Sequence, residues 1–118
     1  MATEADFEII RGDDVQQPFT VTLDQSRVLD GTETWRLFMR SLRTDSVTVL
    51  ELVSPNQITI DATTYQPTAV FTPTDTPTSA FPVSKKNRKY DYDLEMTKDT
   101  LVETTNYGKV TVRGDTSR

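Results

Sequence analysis

From Tyr90 to Met96 the chain reads Tyr-Asp-Tyr-Asp-Leu-Glu-Met, with Tyr90, Tyr92, Leu94 and Met96 in one parity and Asp91, Asp93 and Glu95 in the other. Side chains on a strand alternate between its faces, so the pattern predicts a half-buried β-strand with an aromatic-rich inner face and an acidic outer one. A helix is excluded here, because a 3.6-residue period would scatter the acids through the core. Most of the remaining chain repeats this design in short alternating segments separated by turn residues.

The second predicted strand, Pro18 to Asp24, places Phe19, Val21 and Leu23 inward and Thr20, Thr22 and Asp24 outward. A third, Glu33 to Leu42, sets Trp35, Leu37 and Met39 against Arg36, Phe38 and Arg40; Phe38 is out of phase, so that outer face is not expected to be wholly solvated. Asp6 to Arg11, Val47 to Val53, Gln57 to Asp61, Ala69 to Thr72 and Lys109 to Arg113 complete the strand set, with Leu101-Val102 leading into a turn at Thr104 to Gly108. Gly12-Asp13-Asp14, Asp30-Gly31 and Ser54-Pro55-Asn56 supply further breaks, and Thr74 to Ala80 reads as a turn or one helical turn. Threonine, stiff at χ1 and suited to strands, fills 21 of 118 positions. The expectation is an all-β, single-domain, immunoglobulin-like antiparallel β-sandwich of eight or nine short strands over 1–118. Residues 1–5 form a flexible arm and 114–118 a tail. Its core is expected to hold Phe19, Val21, Trp35, Leu37, Ile58, Ile60, Tyr92, Leu94, Val110 and Val112.

Composition removes whole classes of chemistry. The chain has no cysteine and no histidine, which excludes disulfides, thiolate nucleophiles, Cys- or His-liganded metals and a Ser-His-Asp triad. A net charge of −5 is a poor match for nucleic acid, whose phosphates demand Lys and Arg. The acidic start, Met1 to Asp6, is unlike a signal peptide, and no apolar stretch approaches the ~20 residues that span a bilayer. A soluble protein with no cofactor and no membrane partner is expected.

Three motifs carry a sharper reading beside a plainer one. Arg-Gly-Asp occurs at Arg11 to Asp13 and again at Arg113 to Asp115, each time after a strand, where Gly and Asp serve a turn better than they serve receptor recognition. Same-face neighbours in Asp91, Asp93 and Glu95 stand about 6.5–7 Å apart on a strand, near an inverting glycosidase pair. A solvated face, or one docked on a partner's basic groups, explains the same acids without a sugar cleft. Lys85-Lys86-Asn87-Arg88-Lys89 is the one dense basic run; it reads as a charged loop tip or a contact to an acidic strand of a neighbour. The candidate partner-contact residues are therefore Lys85, Lys86, Arg88, Lys89, Asp91, Asp93 and Glu95, with no catalytic or metal-binding residue.

Several of these pieces occur together in one family. Phe7-Glu8-Ile9-Ile10-Arg11-Gly12-Asp13-Asp14, then Phe19-Thr20-Val21-Thr22-Leu23, the Trp35 strand, Tyr90 to Glu95 and Gly108-Lys109-Val110-Thr111-Val112-Arg113 resemble the N-terminal β-sandwich domain of bacteriophage baseplate upper proteins and related tail-fibre attachment proteins. The resemblance covers nearly the whole chain and implies an assembly module without catalysis. In that family the sandwich begins a longer polypeptide, whereas this sequence ends at Arg118.

The expected function is a non-enzymatic virion structural protein, an adaptor of the tail, baseplate or fibre-attachment region. It would be made in the host bacterial cytoplasm and be multimeric in the particle among other virion proteins. A capsid decoration protein is one alternative. Another is a carbohydrate- or receptor-binding module that uses Tyr65, Phe71, Phe81 or Tyr107 as stacking platforms. Attachment is expected through the N-terminal arm and the region from Thr72 to Lys89.

Overall fold

The computed structural model describes residues 2–10, 14–23, 28–40, 50–71 and 88–113, the side chains of Arg88 and Arg113 excepted. Nine strands form among them: β1 (Thr3–Glu4), β2 (Phe7–Ile10), β3 (Val15–Pro18), β4 (Thr34–Arg40), β5 (Leu50–Val53), β6 (Ile58–Ile60), β7 (Pro67–Phe71), β8 (Arg88–Lys98) and β9 (Leu101–Arg113). No helix occurs among the described residues. Both Arg-Gly-Asp glycines and aspartates, Val47 to Val49, Thr74 to Ala80, Phe81, Lys85, Lys86 and the tail 114–118 lie outside the described residues.

The all-β sandwich is observed. A six-stranded sheet has the order β1-β9-β8-β4-β5, with β2 following β1 along the same β9 edge, and a three-stranded sheet has the order β3-β7-β6. Inward side chains from both sheets make one core, including Ile9, Trp35, Leu37, Leu52, Tyr92, Leu94 and Val110 from the first and Ile58, Ala69 and Phe71 from the second. Of the ten expected core residues nine are buried, and the tenth, Ile60, packs partly buried against them.

Four features differ from the sequence reading. The sheet is not wholly antiparallel, because β1 and β2 run parallel to β9, with Glu4 opposite Tyr107 and Phe7 opposite Val110. Parallel neighbours need a long crossover, and nearly the whole domain lies between the paired strands. The N-terminal arm is consequently tied down: Thr3 and Glu4 form β1, and the Ala5 N–H donates to the Tyr107 carbonyl at 2.9 Å.

Thr104 to Gly108 is not a turn but the middle of β9, whose 13 residues pair with the 11 of β8. The turn of this hairpin is Asp99-Thr100, with Asp99 at a φ of 56°. The two strands are long rather than short. Register shifts once, where Leu94 faces Asn106 and Glu95 faces Thr104, leaving Thr105 as an extra bulged residue.

Finally, the alternation of Phe19 to Leu23 is real in burial, yet the segment is no strand; the strand there is β3. The Phe19 N–H donates to the Pro67 carbonyl at 3.0 Å, but Pro67 has no N–H to return, which ends the ladder with β7. Beyond it the Gln66 amide substitutes for a strand, its Oε1 accepting from the Val21 N–H at 2.6 Å and its Nε2 donating to the Val21 carbonyl at 3.3 Å.

Candidate functional site

Of the expected contact residues on β8, Asp91, Asp93 and Glu95 lie on the outer face of the six-stranded sheet. Antiparallel register puts Arg36, Phe38 and Arg40 of β4 opposite Glu95, Asp93 and Asp91, and puts Lys109 of β9 opposite Asp91. Charges of opposite sign thus alternate across the strands. Lys109 Nζ reaches Asp91 Oδ1 at 2.6 Å, Arg40 lies 3.8 Å from Asp93, and Arg36 lies 3.8 Å from Glu95 while also engaging Glu51 of β5. The basic groups that meet the acidic strand are this chain's own. Each such surface pair, its acid only partly exposed, contributes about 1 kcal/mol, and together they fix the side-chain order of the face.

Phe38 sits at the centre of this network and is buried although it points away from the core. The guanidinium carbons of Arg36 and Arg40 stand 4.8 Å and 4.5 Å from its ring centroid. A cation over an aromatic face adds about 0.5–1 kcal/mol at such sites, and the two arginines shield the ring from water. Sequence parity flagged Phe38; its arginine covers follow only from the i±2 spacing on β4. Lys89 is exposed near the start of β8, and Arg88 opens that strand.

A second arrangement lies at the other end of β8. The bulge at Thr105 changes the parity of β9, so that Leu101 shares a face with Met96 and Lys98. With Leu23 and Val28 these residues line a cavity of about 450 Å³, bordered by Asp30 and Asp99. A smaller cavity of about 300 Å³ shares Leu23 and Val28 and extends to Val21, Leu29, Thr64 and Gln66. None of this was anticipated, because it depends on where the hairpin turns.

The polar border is built by the Asp30-Gly31 turn, where Gly31 has a φ of 91°. Asp30 Oδ1 accepts from the Thr32 N–H at 2.9 Å and from its hydroxyl at 2.6 Å, while Lys98 Nζ donates to Asp30 Oδ2 at 2.6 Å. Beneath it the Glu33 side chain, 1% exposed, accepts from the Asp30 and Gly31 N–H groups at 3.0 Å each and lies 3.8 Å from Lys98. The Lys98 ammonium, followed by the Thr32 donors, holds the Asp30 carboxyl well below the usual carboxylate range; Asp30 in turn pushes Lys98 up.

Among the described residues no group of three or more His, Cys, Asp or Glu is placed to hold a metal ion. Of the aromatic platforms considered from sequence, Phe71 is fully buried and cannot stack on a ligand, because it packs with Phe7 at 6.0 Å between ring centroids. Tyr65 and Tyr107 are half-buried.

No protein-family profile matches the chain, and no curated protein is similar to it. Among solved structures it is similar to the crystal structure of a sialyltransferase from Photobacterium damsela, at 12% identity and a TM-score of 0.37. That match covers 96% of this chain and 18% of the sialyltransferase chain. A likeness of this size assigns neither fold nor activity.

Proposed function

We propose that the chain is a non-enzymatic structural component of a bacteriophage virion, an adaptor of the tail, baseplate or fibre-attachment region. The observation that carries this reading is the outer face of the six-stranded sheet, where each carboxylate of the acidic strand meets a cation from the next strand. Acids engaged in this way stiffen a scaffold and leave no carboxylate pair set around an open substrate position, which glycoside hydrolysis requires. The soft strand-and-turn resemblance to baseplate upper proteins supports the same assignment. A glycan-binding role has less support, since Phe71 is in the core.

Mass spectrometry of particles purified from cells producing this chain with its companion structural proteins tests the proposal. Fixed stoichiometry in the particle fraction is the expected result. Recovery only in the unassembled fraction, together with binding on a glycan array, would replace it with the receptor-binding reading.

A further inference from the structure

The two ends of β8 are chemically opposite. At its start stand Arg88 and Lys89, preceded in sequence by Lys85-Lys86-Asn87. The register sets Val112 against Arg88, so Arg113, the last residue of β9, belongs to the same end; Glu8 of β2, opposite Thr111, is an acid there. At the far end Lys98 and Asp99 lead into the hairpin turn and the mixed cavity. Among the described residues there, the acids Asp30, Glu33 and Asp99 outnumber the cation Lys98. The charge of Asp99 acts on Lys98 as well, behind those of Asp30 and Glu33. The cavity walls carry the most exposed apolar side chains of the described structure, Val28 at 75% and Leu101 at 64%.

From Lys89 to Lys98 is nine residues of extended strand, about 30 Å. A paired strand does not fold back on itself, so the basic end and the acid-rimmed apolar cavity of one molecule cannot meet each other. They can meet between molecules. Lysine stems lie readily along apolar walls while their ammonium groups seek carboxylates, which is the combination that Val28, Leu101, Met96, Asp99 and Asp30 offer. In a chain of net charge −5 the Lys85 to Lys89 run is the segment whose charge complements this border.

We propose that the cavity at the β8–β9 turn receives the basic run Lys85 to Lys89 of a second copy of this chain, giving a head-to-tail contact. Because the two surfaces differ, the contact is heterologous, and its repetition generates a ring or a filament rather than an isologous pair. The inference does not depend on the virion assignment, since it is read on the isolated chain.

Sedimentation velocity of the full chain across a concentration series tests it. Self-association is expected at about 50 mM NaCl and should weaken about tenfold or more near 500 mM, because exposed charges are screened. One variant replaces Lys85, Lys86, Arg88 and Lys89 by Ser; a second combines Asp99→Asn, which suits the left-handed turn position, with Leu101→Lys. Each should be monomeric alone, and a mixture of the two should give a 1:1 pair that grows no further, since one intact surface of each kind remains. Circular dichroism checks that both keep the wild-type sheet signal. Val28→Lys attacks the opposite cavity wall without touching the hairpin and should also block association. A wild-type chain that stays monomeric at low salt overturns the proposal. So does an association that survives the cavity variants, or variants that fail to complement on mixing.

Discussion

The β8–β9 hairpin is held differently at its middle and at its turn. In the middle, Tyr92 faces Gly108, and its ring packs edge-on against Phe7 at 5.0 Å and tilted against Phe19 at 5.8 Å. The Tyr92 hydroxyl donates to the Ala5 carbonyl, and Asp6 Oδ1 accepts from the Lys109 N–H at 2.9 Å, so the N-terminal strands are latched to β9 at this level. At the turn, Leu101 and Val102 are largely exposed, and the principal tie is the Lys98–Asp30 pair. The same two strands therefore carry dense aromatic burial in one place and sparse exposed contacts in another. Local stability follows the first and freedom to serve a partner follows the second.

The largest effect that can break this comparison is Phe71→Ala. Phe71 is fully buried and joins the aromatic cluster through Phe7, so truncation should cost about 3–5 kcal/mol in chemical denaturation. A cost below ~1 kcal/mol would mean that the middle of the hairpin is no better packed than its turn.

Next comes Gly108→Ala. Gly108 has a φ of 153°, and a Cβ there would stand 2.6 Å from Asp6 Oδ1 and 2.7 Å from the Ala5 carbonyl oxygen. Both contacts are held by the latch between the N-terminal segment and β9, so relief requires the N-terminal strands to move. The combined strain and overpacking should cost roughly 2–4 kcal/mol. Hydrogen exchange should show the loss concentrated in residues 3–10, whereas uniform loss would mean that the latch is not a separate unit.

Tyr92→Phe removes only the hydroxyl and leaves the Ala5 carbonyl without that donor, for about 1–2 kcal/mol at neutral pH. Burial first, then the charges of Asp6 and Asp93, raise the Tyr92 phenol above its ordinary value of 10.0. The unfolded chain then loses this proton at lower pH than the folded one, so wild-type stability should fall as pH rises above 10.0. In the phenylalanine variant that part of the alkaline decline should be missing. Parallel declines in both proteins would place the titration elsewhere.

What the sequence made legible was parity, and what it hid was register. Strands β4 and β8 announce themselves because Trp35, Leu37 and Met39, and then Tyr90, Tyr92, Leu94 and Met96, fall at every second position, with Phe38 as the one apolar residue out of phase. In β9 the bulge at Thr105 puts two residues where alternation allows one, and Thr104 to Gly108 then reads as a turn. That single residue concealed both the length of the hairpin and the cavity beside its end. The acids of β8 were visible, but their cations Arg36, Arg40 and Lys109 become partners only through pairing with two other strands, which no local pattern encodes. Phe19 to Leu23 shows the converse, a strand-like pattern satisfied by a glutamine side chain and a proline carbonyl.

The smallest effect belongs to the turn. Asp30→Asn keeps an acceptor for Thr32 while removing the charge that faces Lys98. The Asp30 carboxyl is held below its ordinary value of 3.8, chiefly by Lys98, so in the folded state it stays ionised to lower pH than in the unfolded chain. A depressed carboxylate contributes stability that is complete above 3.8 and is lost as pH falls below it. Wild type should accordingly exceed the variant modestly at neutral pH, with the difference shrinking as urea midpoints are measured at pH values below 3.8. Both partners are exposed, so added salt should shrink it too. A difference that is large, or that persists unchanged into acid, would give the turn a structural weight like that of the Tyr92 latch, and the contrast between the two levels of the hairpin would fail.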